Sequence, residues 1–531
     1  MFLIAHALLT PVLQASPATE IAAQVPVALR DIYAARQFEP LWTNQGQPTP
    51  RATAAIQQLA HADDDGLHPQ DYNVAQLEQQ LATLQKATSL DPLQQATFDL
   101  TLSAALAQYT SDMTAGRILP RSQGLDIDTN NNRARLPTAL QRVLVDTPDM
   151  VVAIAQLQPT LPVYGALRQQ LSHYRMLAHT YPHPPSLPPL PGKKLEPGMA
   201  WSGNDALASW LVVLGDLASE TMIQGAYSGA LVDGVKRFQT RHGLTADGII
   251  GKQTWEALHV PLPLRVQQIE LAMERLRWLD AAALTRQRFI LINIPQFTLW
   301  AYSPIQGRPQ PDFEMRVVVG QAGKNETPVM TKTLSSIVFN PYWNVPRSIA
   351  MKELLPKLRR DPSYLLHEDM EWVDRQGHAQ GNHFDPEQED RVVLGEYRIR
   401  QRSGNKNALG KLKFVFPNDD AIYMHDTPSK NLFAKDRRDF SHGCIRVGDP
   451  TKLALFVLQT QGDWDDVKLN DKISRSKDQH VALQERLPVL VLYLTANTDA
   501  AGNALFFPDI YQHDAALAAA LNNRTLTDMA K

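Results

Sequence analysis

The sequence contains a single cysteine in 531 residues. No intramolecular disulfide can form, and a zinc site built from several cysteines is excluded. The sequence also has no large excess of charge of either sign: it contains 52 basic and 55 acidic residues, and the net charge is −3. Nucleic-acid-binding domains usually carry a clear excess of basic residues, so we expect no nucleic-acid partner.

Long apolar runs are absent as well. A membrane-spanning helix needs about 20 consecutive apolar residues, and the first apolar run, Phe2 to Leu13, is shorter than that. This run and the small residues Ser16-Pro17-Ala18 predict a secretory signal over residues 1–18, although no Lys or Arg precedes it. The alternative is a buried N-terminal helix. The signal predicts an exported protein with no integral membrane segment in the mature chain.

The first half of the chain has the pattern of helices. Apolar residues recur at three- and four-residue spacing in Ala96 to Tyr109 and in Leu136 to Val145, which predicts a helical scaffold over residues 19–180. The proline-rich stretch 181–202 predicts a semi-rigid linker. Residues 203–262 predict a compact module of short helices. An amphipathic helix within 263–287 is predicted to link this module to the next domain.

From Arg288 onward the pattern changes to short apolar runs and a period of two residues. Phe289 to Ile294 and Arg316 to Gly320 are typical of strands, which predicts a β-rich domain over residues 288–500. Helical periodicity followed by a polar stretch predicts an inserted helical flap at 349–390. Residues 501–531 are predicted to be a partly helical C-terminal tail. The predicted fold class is therefore a multi-domain α+β protein.

The segment around the only cysteine has the composition of a reactive site. A thiol with a pKa of about 8.5 is mostly protonated at neutral pH, so attack on an acyl carbon needs a base. His425 lies at the end of a predicted strand, nineteen positions before Cys444. Strand-end loops can bring such a pair together, which makes Cys444 the candidate nucleophile and His425 the candidate base. The alternative is that Cys444 is a small buried apolar residue.

The neighbours of Cys444 suggest further roles. Backbone N–H groups stabilise the oxyanion of an acyl-transfer intermediate, and Gly443 lets the backbone approach a substrate closely. We therefore expect the Gly443 and Cys444 amides to be oxyanion donors and His442 to orient the site or to hold a substrate carboxylate. The cations Lys435, Arg437, Arg438 and Arg446 are expected to raise the local potential. These residues alone leave a cysteine acyltransferase and a cysteine hydrolase both open.

The run Ser441-His442-Gly443-Cys444-Ile445-Arg446-Val447 resembles the signature of the L,D-transpeptidase catalytic domain. His425 occupies the position where that family places its general base. Asn340 to Pro346 and His425 to Ser429 are similar to the large, multi-domain periplasmic branch of the family. Phe238-Gln239, followed by Gly243-Leu244, Asp247 to Gly251 and Thr254-Trp255, resembles the three-helix peptidoglycan-binding module.

The resemblance implies a periplasmic enzyme that acts on peptidoglycan stem peptides without a metal or an organic cofactor. Cys444 would attack a donor tetrapeptide at the carbonyl of its diamino acid, D-Ala would leave, and the amine of an acceptor stem would resolve the thioester into a 3→3 cross-link. Candidate substrate-binding residues are Arg446, Ser441, Tyr423, Tyr342 and Trp343. Two alternatives stay open: a carboxypeptidase or cross-link hydrolase that uses water, and a non-catalytic peptidoglycan-binding protein. The sequence leaves any protein partner open.

Overall fold

The computed structural model describes residues 16–87, 91–221, 225–475 and 478–523. Most of the predicted signal, residues 1–18, lies outside these ranges. The first described helix begins at Pro17, and its N-cap Ser16 accepts a hydrogen bond from the Thr19 amide at 3.2 Å. Within the described ranges, no helix combines the length and the apolar character needed to cross a membrane.

The N-terminal region is helical, as the apolar spacing predicts, and packs around one long central helix. Its elements are α1 (Pro17–Gln24), α2 (Val27–Ala34), β1 (Thr43–Asn44), β2 (Gln47–Pro48), α3 (Pro50–Ala60), α4 (Val74–Lys86), α5 (Pro92–Ala115), α6 (Asn130–Gln141), α7 (Met150–Ala155) and α8 (Pro162–Thr180). Asp99 of α5 is fully buried and accepts hydrogen bonds from the Tyr33 hydroxyl at 2.6 Å and the Trp42 amide at 2.8 Å. These bonds fix the first helices onto α5.

The small module contains three helices, α9 (Asn204–Val213), α10 (Gly229–Arg241) and α11 (Lys252–Leu258). The buried amide of Gln239 closes the loop between α10 and α11. Its Nε2 donates to Asp247 Oδ1 and to Ile249 O, both at 3.0 Å, and its Oε1 accepts from the Gly248 amide at 2.8 Å. Gly248 has φ +75°, which favours glycine there. The motif residues therefore build the module itself.

The predicted linker helix is a shared core element rather than a free connection. It consists of α12 (Leu262–Arg277), followed by the short α13 (Ala281–Leu284). Glu274 is buried, pairs with Arg277 at 2.9 Å, and accepts the Arg117 amide of the scaffold at 2.6 Å. Arg275 pairs with Asp514 near the C-terminus at 2.5 Å. The helix thus joins the scaffold, the module and the C-terminal segment.

The β-rich region consists of a barrel-like sheet with helices around it. Its elements are β3 (Phe289–Asn293), β4 (Thr298–Ile305), β5 (Arg308–Gly320), β6 (Met330–Phe339), β7 (Trp343–Asn344), α14 (Arg347–Ile349), α15 (Leu355–Leu358), α16 (Tyr364–His367), β8 (Met370–Val373), α17 (Pro386–Val393), β9 (Arg398–Gln401), β10 (Leu412–Val415), β11 (Met424–His425), β12 (Asp439–Ser441), β13 (Ile445–Val447), α18 (Pro450–Leu458), α19 (Asp466–Ser474), β14 (Gln479–Leu492), β15 (Ala496–Thr498), β16 (Ala504–Phe506) and α20 (His513–Asn522). The described strands of the main sheet run in the order β12-β5-β13-β11-β10-β6-β14-β3-β4. Because β4 also pairs with β5, the sheet closes on itself. The α+β fold class is confirmed.

The flap differs in composition from the predicted helical insertion at 349–390. It extends over residues 343–401 and contains a three-stranded sheet, β7-β9-β8, besides its helices. Strand β8 lies inside the stretch that the sequence pattern assigns to a polar loop. Trp372, Leu358 and Ile399 are fully buried in a core separate from that of the barrel. A β-strand of four residues is too short for its period to stand out from flanking polar residues.

The predicted C-terminal tail is folded back onto the rest of the chain as far as Asn522. Strand β16 pairs with β15, and α20 contacts α12. The Tyr511 hydroxyl donates to Gly320 O at 2.5 Å and accepts from the Thr327 amide at 3.3 Å. The β-rich unit therefore continues past residue 500 in the described chain.

Candidate active site

Three neighbouring strands place the candidate residues on one face of the sheet. Lys413 of β10 lies opposite His425 of β11, and His425 lies opposite Arg446 of β13. Side chains directly opposite each other in register point to the same face, and alternate residues along a strand do too. Tyr423 and Cys444 lie directly before β11 and β13, and both reach this face: the Tyr423 ring lies next to Lys413 and His425, and Cys444 interacts with Tyr423, Lys413 and Arg446. The register, rather than sequence distance, brings base and nucleophile together.

His425 is held as a neutral base. Its side chain is buried, and Nδ1 lies 2.5 Å from the Asp426 carbonyl oxygen. Nδ1 therefore carries the hydrogen, which leaves the Nε2 lone pair free to accept a proton. Burial, and then the charge of Arg446, lower the pKa of His425 to about 3. The imidazole is thus uncharged at neutral pH.

The side chain of Asp426 fixes the position of the backbone carbonyl that binds His425 Nδ1. Its Oδ2 accepts the Lys411 amide at 2.8 Å, and its Oδ1 pairs with the Lys430 ammonium at 2.7 Å. A side chain at Gly410 would meet Asp426 Oδ2 at 2.2 Å, so only glycine fits beside it. Asp426 therefore supplies both the carbonyl that orients the candidate base His425 and the carboxylate that anchors this segment.

Cys444 is half-buried in the bend directly before β13. Its Sγ lies 3.9 Å from the Ala421 carbonyl oxygen, and it forms no hydrogen bond to His425. Burial raises the pKa of the Cys444 thiol, while contacts with Tyr423 and the charges of Lys413 and Arg446 oppose that effect. A raised pKa leaves the thiol protonated at neutral pH. Catalysis then requires proton removal, and bonds of this kind often tighten only when substrate binds.

The cations near Cys444 differ from those expected. Arg437 pairs with Asp439 at 2.6 Å, and Arg438 donates to backbone carbonyls such as Phe297 O at 3.1 Å. The Lys435 ammonium lies over the ring of Phe440 at 5.4 Å. These three cations are thus bound by other groups, and their effect on the thiol stays a prediction. Of the expected cations, Arg446 is the one whose charge lowers the Cys444 pKa directly.

Lys413 is the cation that sequence reasoning missed. Its Nζ lies 3.9 Å from the centroid of the Tyr423 ring, and burial lowers its pKa while the nearby Cys444 opposes that effect. In the sequence it is the one charged residue within the strand Leu412-Lys413-Phe414-Val415. A charge inside a β-rich run was a usable signal. Only the pairing of β10 with β11 shows that it faces the nucleophile.

Replacing Lys413 by methionine is expected to slow alkylation of Cys444 by iodoacetamide about tenfold at pH 7. Loss of a partly buried unit charge near the sulfur raises the thiol pKa by about one unit. The alkylation rate is measured as a function of pH, and the rate–pH profile should shift to higher pH. Lys413→Arg should keep most of the rate. Lys435→Met is the matched control with the same charge loss, and an equal shift in both variants would contradict the assignment.

The loop before Cys444 is tied by Ser441 and Gly443. The Ser441 hydroxyl donates to the Cys444 carbonyl at 2.5 Å and accepts the Gly443 amide at 3.1 Å. Gly443 has φ +107°, and a side chain there would meet Ile422 Cδ1 at 3.0 Å. The expectation of a Gly443 oxyanion donor is corrected, since its N–H is already bound. Ser441 likewise shapes the loop instead of facing a substrate, and the Cys444 amide remains the candidate donor.

Thr327 and Tyr511 support this loop from behind. The Thr327 hydroxyl donates to the Gly443 carbonyl at 2.7 Å and accepts the Gly320 amide at 2.8 Å. Tyr511 in turn binds the Gly320 carbonyl and the Thr327 amide. The C-terminal segment therefore helps to hold the turn that presents Cys444. Sequence reasoning gave neither residue this role, because their spacing from Cys444 carries no local pattern.

The remaining predicted residues connect the site to the flap. His442 is exposed, and its Nε2 lies 2.5 Å from Glu353 Oε1 on the flap. Trp343 packs against the flap core, and Tyr342 lies beneath the Arg400 guanidinium at 4.6 Å. Both residues thus contact the flap, and their place in the donor groove stays a prediction. His442 therefore connects the loop of residues 441–444, called the nucleophile loop below, to the flap.

Comparison with known proteins assigns families to three segments. Residues 287–471 match the L,D-transpeptidase catalytic domain, residues 206–258 match a candidate peptidoglycan-binding domain, and residues 27–171 match a scaffold domain. A Haemophilus influenzae protein named as an L,D-transpeptidase candidate is 33% identical over 279 residues, which are 51% of this chain and 54% of that protein. The chain thus spans about half the length of this curated relative.

Two solved structures are also similar in part. An L,D-transpeptidase of Xylanimonas cellulosilytica (its residues 123–326) is 15% identical, and the match covers 57% of this chain and 100% of that one with a TM-score of 0.18. A Bdellovibrio bacteriovorus protein is 14% identical, with 45% and 56% covered and a TM-score of 0.16. Scores this low carry no weight for the fold. The family matches do, and they show that the chain contains an L,D-transpeptidase catalytic domain at residues 287–471.

Proposed function

We propose that the chain is a peptidoglycan L,D-transpeptidase that forms 3→3 cross-links through a thioester on Cys444. The observation that carries this proposal is a neutral His425, with Nε2 free, on the same sheet face as the half-buried thiol. This is the arrangement that a base-assisted thiol nucleophile needs.

In the first step, His425 Nε2 takes the Cys444 proton while the sulfur attacks the carbonyl carbon of the third residue of the donor stem. The oxyanion lies near the Cys444 N–H. The bond to D-Ala then breaks, and His425 returns the proton to the leaving amine, which leaves a thioester. An amine of the acceptor stem attacks this thioester, His425 takes the amine proton, and the proton passes to the departing sulfur. A new amide forms and the enzyme is regenerated.

Arg446 is proposed to hold a carboxylate of the donor stem. Its Nε is buried and has no hydrogen-bond partner within the described chain, although the guanidinium presents several donors in a fixed plane. It shares the sheet face with Cys444, and no carboxylate of the described chain forms an ion pair with it. Tyr423 is proposed to line the same pocket, since its ring lies 5.7 Å from that of His425.

The flap is proposed to keep water away from the thioester. It lies against the nucleophile loop through the His442–Glu353 contact. Exclusion of water favours an amine acceptor over hydrolysis. We also propose that residues 1–18 direct export of the protein to the periplasm. The proposed peptidoglycan substrate is found in that compartment.

The function is tested by incubating the full chain with purified tetrapeptide muropeptides and analysing the products by mass spectrometry. Dimers joined between third residues, with one D-Ala released per link, are the expected result. Shortened stems without dimers would show that water is the acceptor. No product from an enzyme whose thiol is intact would contradict catalysis and favour a binding protein.

A further inference from the structure

A cavity whose lining does not include Cys444 lies between the small module and the β-rich unit. Its volume is about 500 Å³. The module contributes His242 and Ala257, and α12 contributes Arg265. The β-rich unit and its C-terminal segment contribute Phe297 and Phe507. Four separate parts of the chain therefore line one cavity.

Arg265 in this cavity is a buried cation without an anionic partner. Only 7% of it is exposed. Its Nη1 donates to Gln268 Oε1 at 2.9 Å, its Nη2 donates to Ala257 O at 3.1 Å, and its guanidinium lies 4.8 Å from the Phe506 ring centroid. All of these partners are neutral. Burial lowers the pKa of Arg265 to about 10, so it stays charged at neutral pH.

The other deeply buried arginines are compensated. Five arginines of the described chain are less than 10% exposed, and three of them, Arg275, Arg277 and Arg288, pair with carboxylates. Arg438 has no carboxylate but donates to five backbone carbonyls. Arg265 has two acceptors. An incompletely compensated buried charge is costly, which points to an anion from outside the chain.

His242 adds to the same conclusion. It is fully enclosed beside Arg265, stacked on Phe238 with ring centroids 3.8 Å apart. Its Nδ1 lies 2.7 Å from Phe238 O. Burial and the charge of Arg265 hold the pKa of His242 well below its usual range. It therefore adds no second charge, and the cation to be matched is Arg265.

The rest of the lining suits a peptide that carries both charges. Phe297 and Phe507 provide apolar walls, and the carboxylates Glu256, Asp436 and Asp509 line other parts of the cavity. A stem peptide has carboxylates, peptide groups and the amine of its diamino acid. We propose that this cavity is a second peptidoglycan site, in which Arg265 binds a carboxylate of a stem peptide. The identity of this ligand rests on the proposed function.

The site is tested with the full chain carrying Cys444→Ala, titrated calorimetrically with a stem tetrapeptide containing the diamino acid. Two bound peptides per chain are expected. Adding Arg265→Met should remove one of them, or weaken it about tenfold or more, as loss of a charge-assisted hydrogen bond predicts. Arg265→Lys should restore part of the affinity. Lys236→Met, on the solvent side of α10, is the matched control and should change nothing.

A second variant covers the case in which Arg265→Met fails to fold. Ala515 is exposed at the cavity lining, so Ala515→Trp should fill the space without touching Arg265 and should remove the same binding event. A tetrapeptide with amidated carboxylates should bind the cavity as weakly as the Arg265→Met chain binds the acid. Equal binding by the Arg265→Met, Ala515→Trp and control chains would overturn the proposal. Failure of the catalytic function shows separately, as a wild-type chain that takes no carbapenem adduct.

Discussion

Cys444→Ala is expected to abolish covalent acylation of the chain by a carbapenem. The wild-type chain should gain the mass of one carbapenem per molecule, because Cys444 is the only thiol in the sequence and is half-buried beside a neutral base. The variant should gain none. Loss of a covalent nucleophile typically lowers kcat by about 10⁶-fold, which is far below detection by intact-protein mass spectrometry.

Cys444→Ser provides the graded control. A hydroxyl at its ordinary pKa is a much weaker nucleophile than a thiol, so the adduct should form slowly or not at all. Far-ultraviolet circular dichroism should show all three proteins folded alike, because Cys444 lies outside the regular strands and is only partly buried. An adduct on Cys444→Ala would identify another nucleophile. A wild-type chain that stays unmodified would support the binding-only alternative.

The sequence alone names candidate reacting residues, but it does not show the residues that support them. Cys444 and His425 can be named because their chemistry is local and the resemblance marks both. The Gly443 amide could not be assigned correctly, since its partner Ser441 Oγ is set by the turn and not by residue type. A glycine next to a nucleophile can adopt a positive φ and can also leave its N–H free to donate to a substrate. Gly443 has the positive φ, but its N–H already donates to Ser441 Oγ.

Long-range support was beyond reach for a different reason. Thr327 and Tyr511 lie far from Cys444 along the chain. The Thr327 hydroxyl contacts Gly443 in the loop before Cys444, and the Tyr511 hydroxyl contacts Gly320 behind that loop. Lys413 depends on the register of β10 with β11. A register slip of one residue would turn it to the other face, and sequence alone does not specify register. The same limit applies to Trp343, whose pairing with Gln401 in the flap sheet the sequence does not show.

The sequence did not predict the strands of the flap or the packed structure of the C-terminal segment, because both depend on packing against other parts of the chain. The flap builds a core of its own with short strands, and α12 buries charged residues that look solvent-facing in sequence. Arg275 pairs with Asp514, and the Glu274–Arg277 pair within α12 also accepts the Arg117 amide and donates to Asp65 O. Patterns of apolar residues cannot show such pairs. The site is thus held by contacts between segments that the sequence treats as separate.

His425→Ala is expected to lower the rate of carbapenem acylation at pH 7 by about 100-fold or more, the usual contribution of general acid–base catalysis. Because the pKa of His425 is lowered to about 3, the wild-type base is neutral throughout the range from pH 5 to 8. The wild-type rate should therefore show no loss of activity centred near pH 6.5. The Cys444 pKa is raised, so the variant depends on a small thiolate population. Its deficit should be largest near neutral pH and should shrink as the pH rises.

The measurement is the pseudo-first-order rate of adduct formation between pH 5 and 10 for both chains. His442→Ala serves as the control, since it also removes an imidazole next to the nucleophile but only breaks the contact to Glu353. It should change the rate much less than His425→Ala and should keep the shape of the wild-type curve. A wild-type profile that falls below pH 6.5 would show that His425 is charged there, against its burial between Arg446 and Lys413. An unchanged rate in His425→Ala would assign the proton of Cys444 to another base.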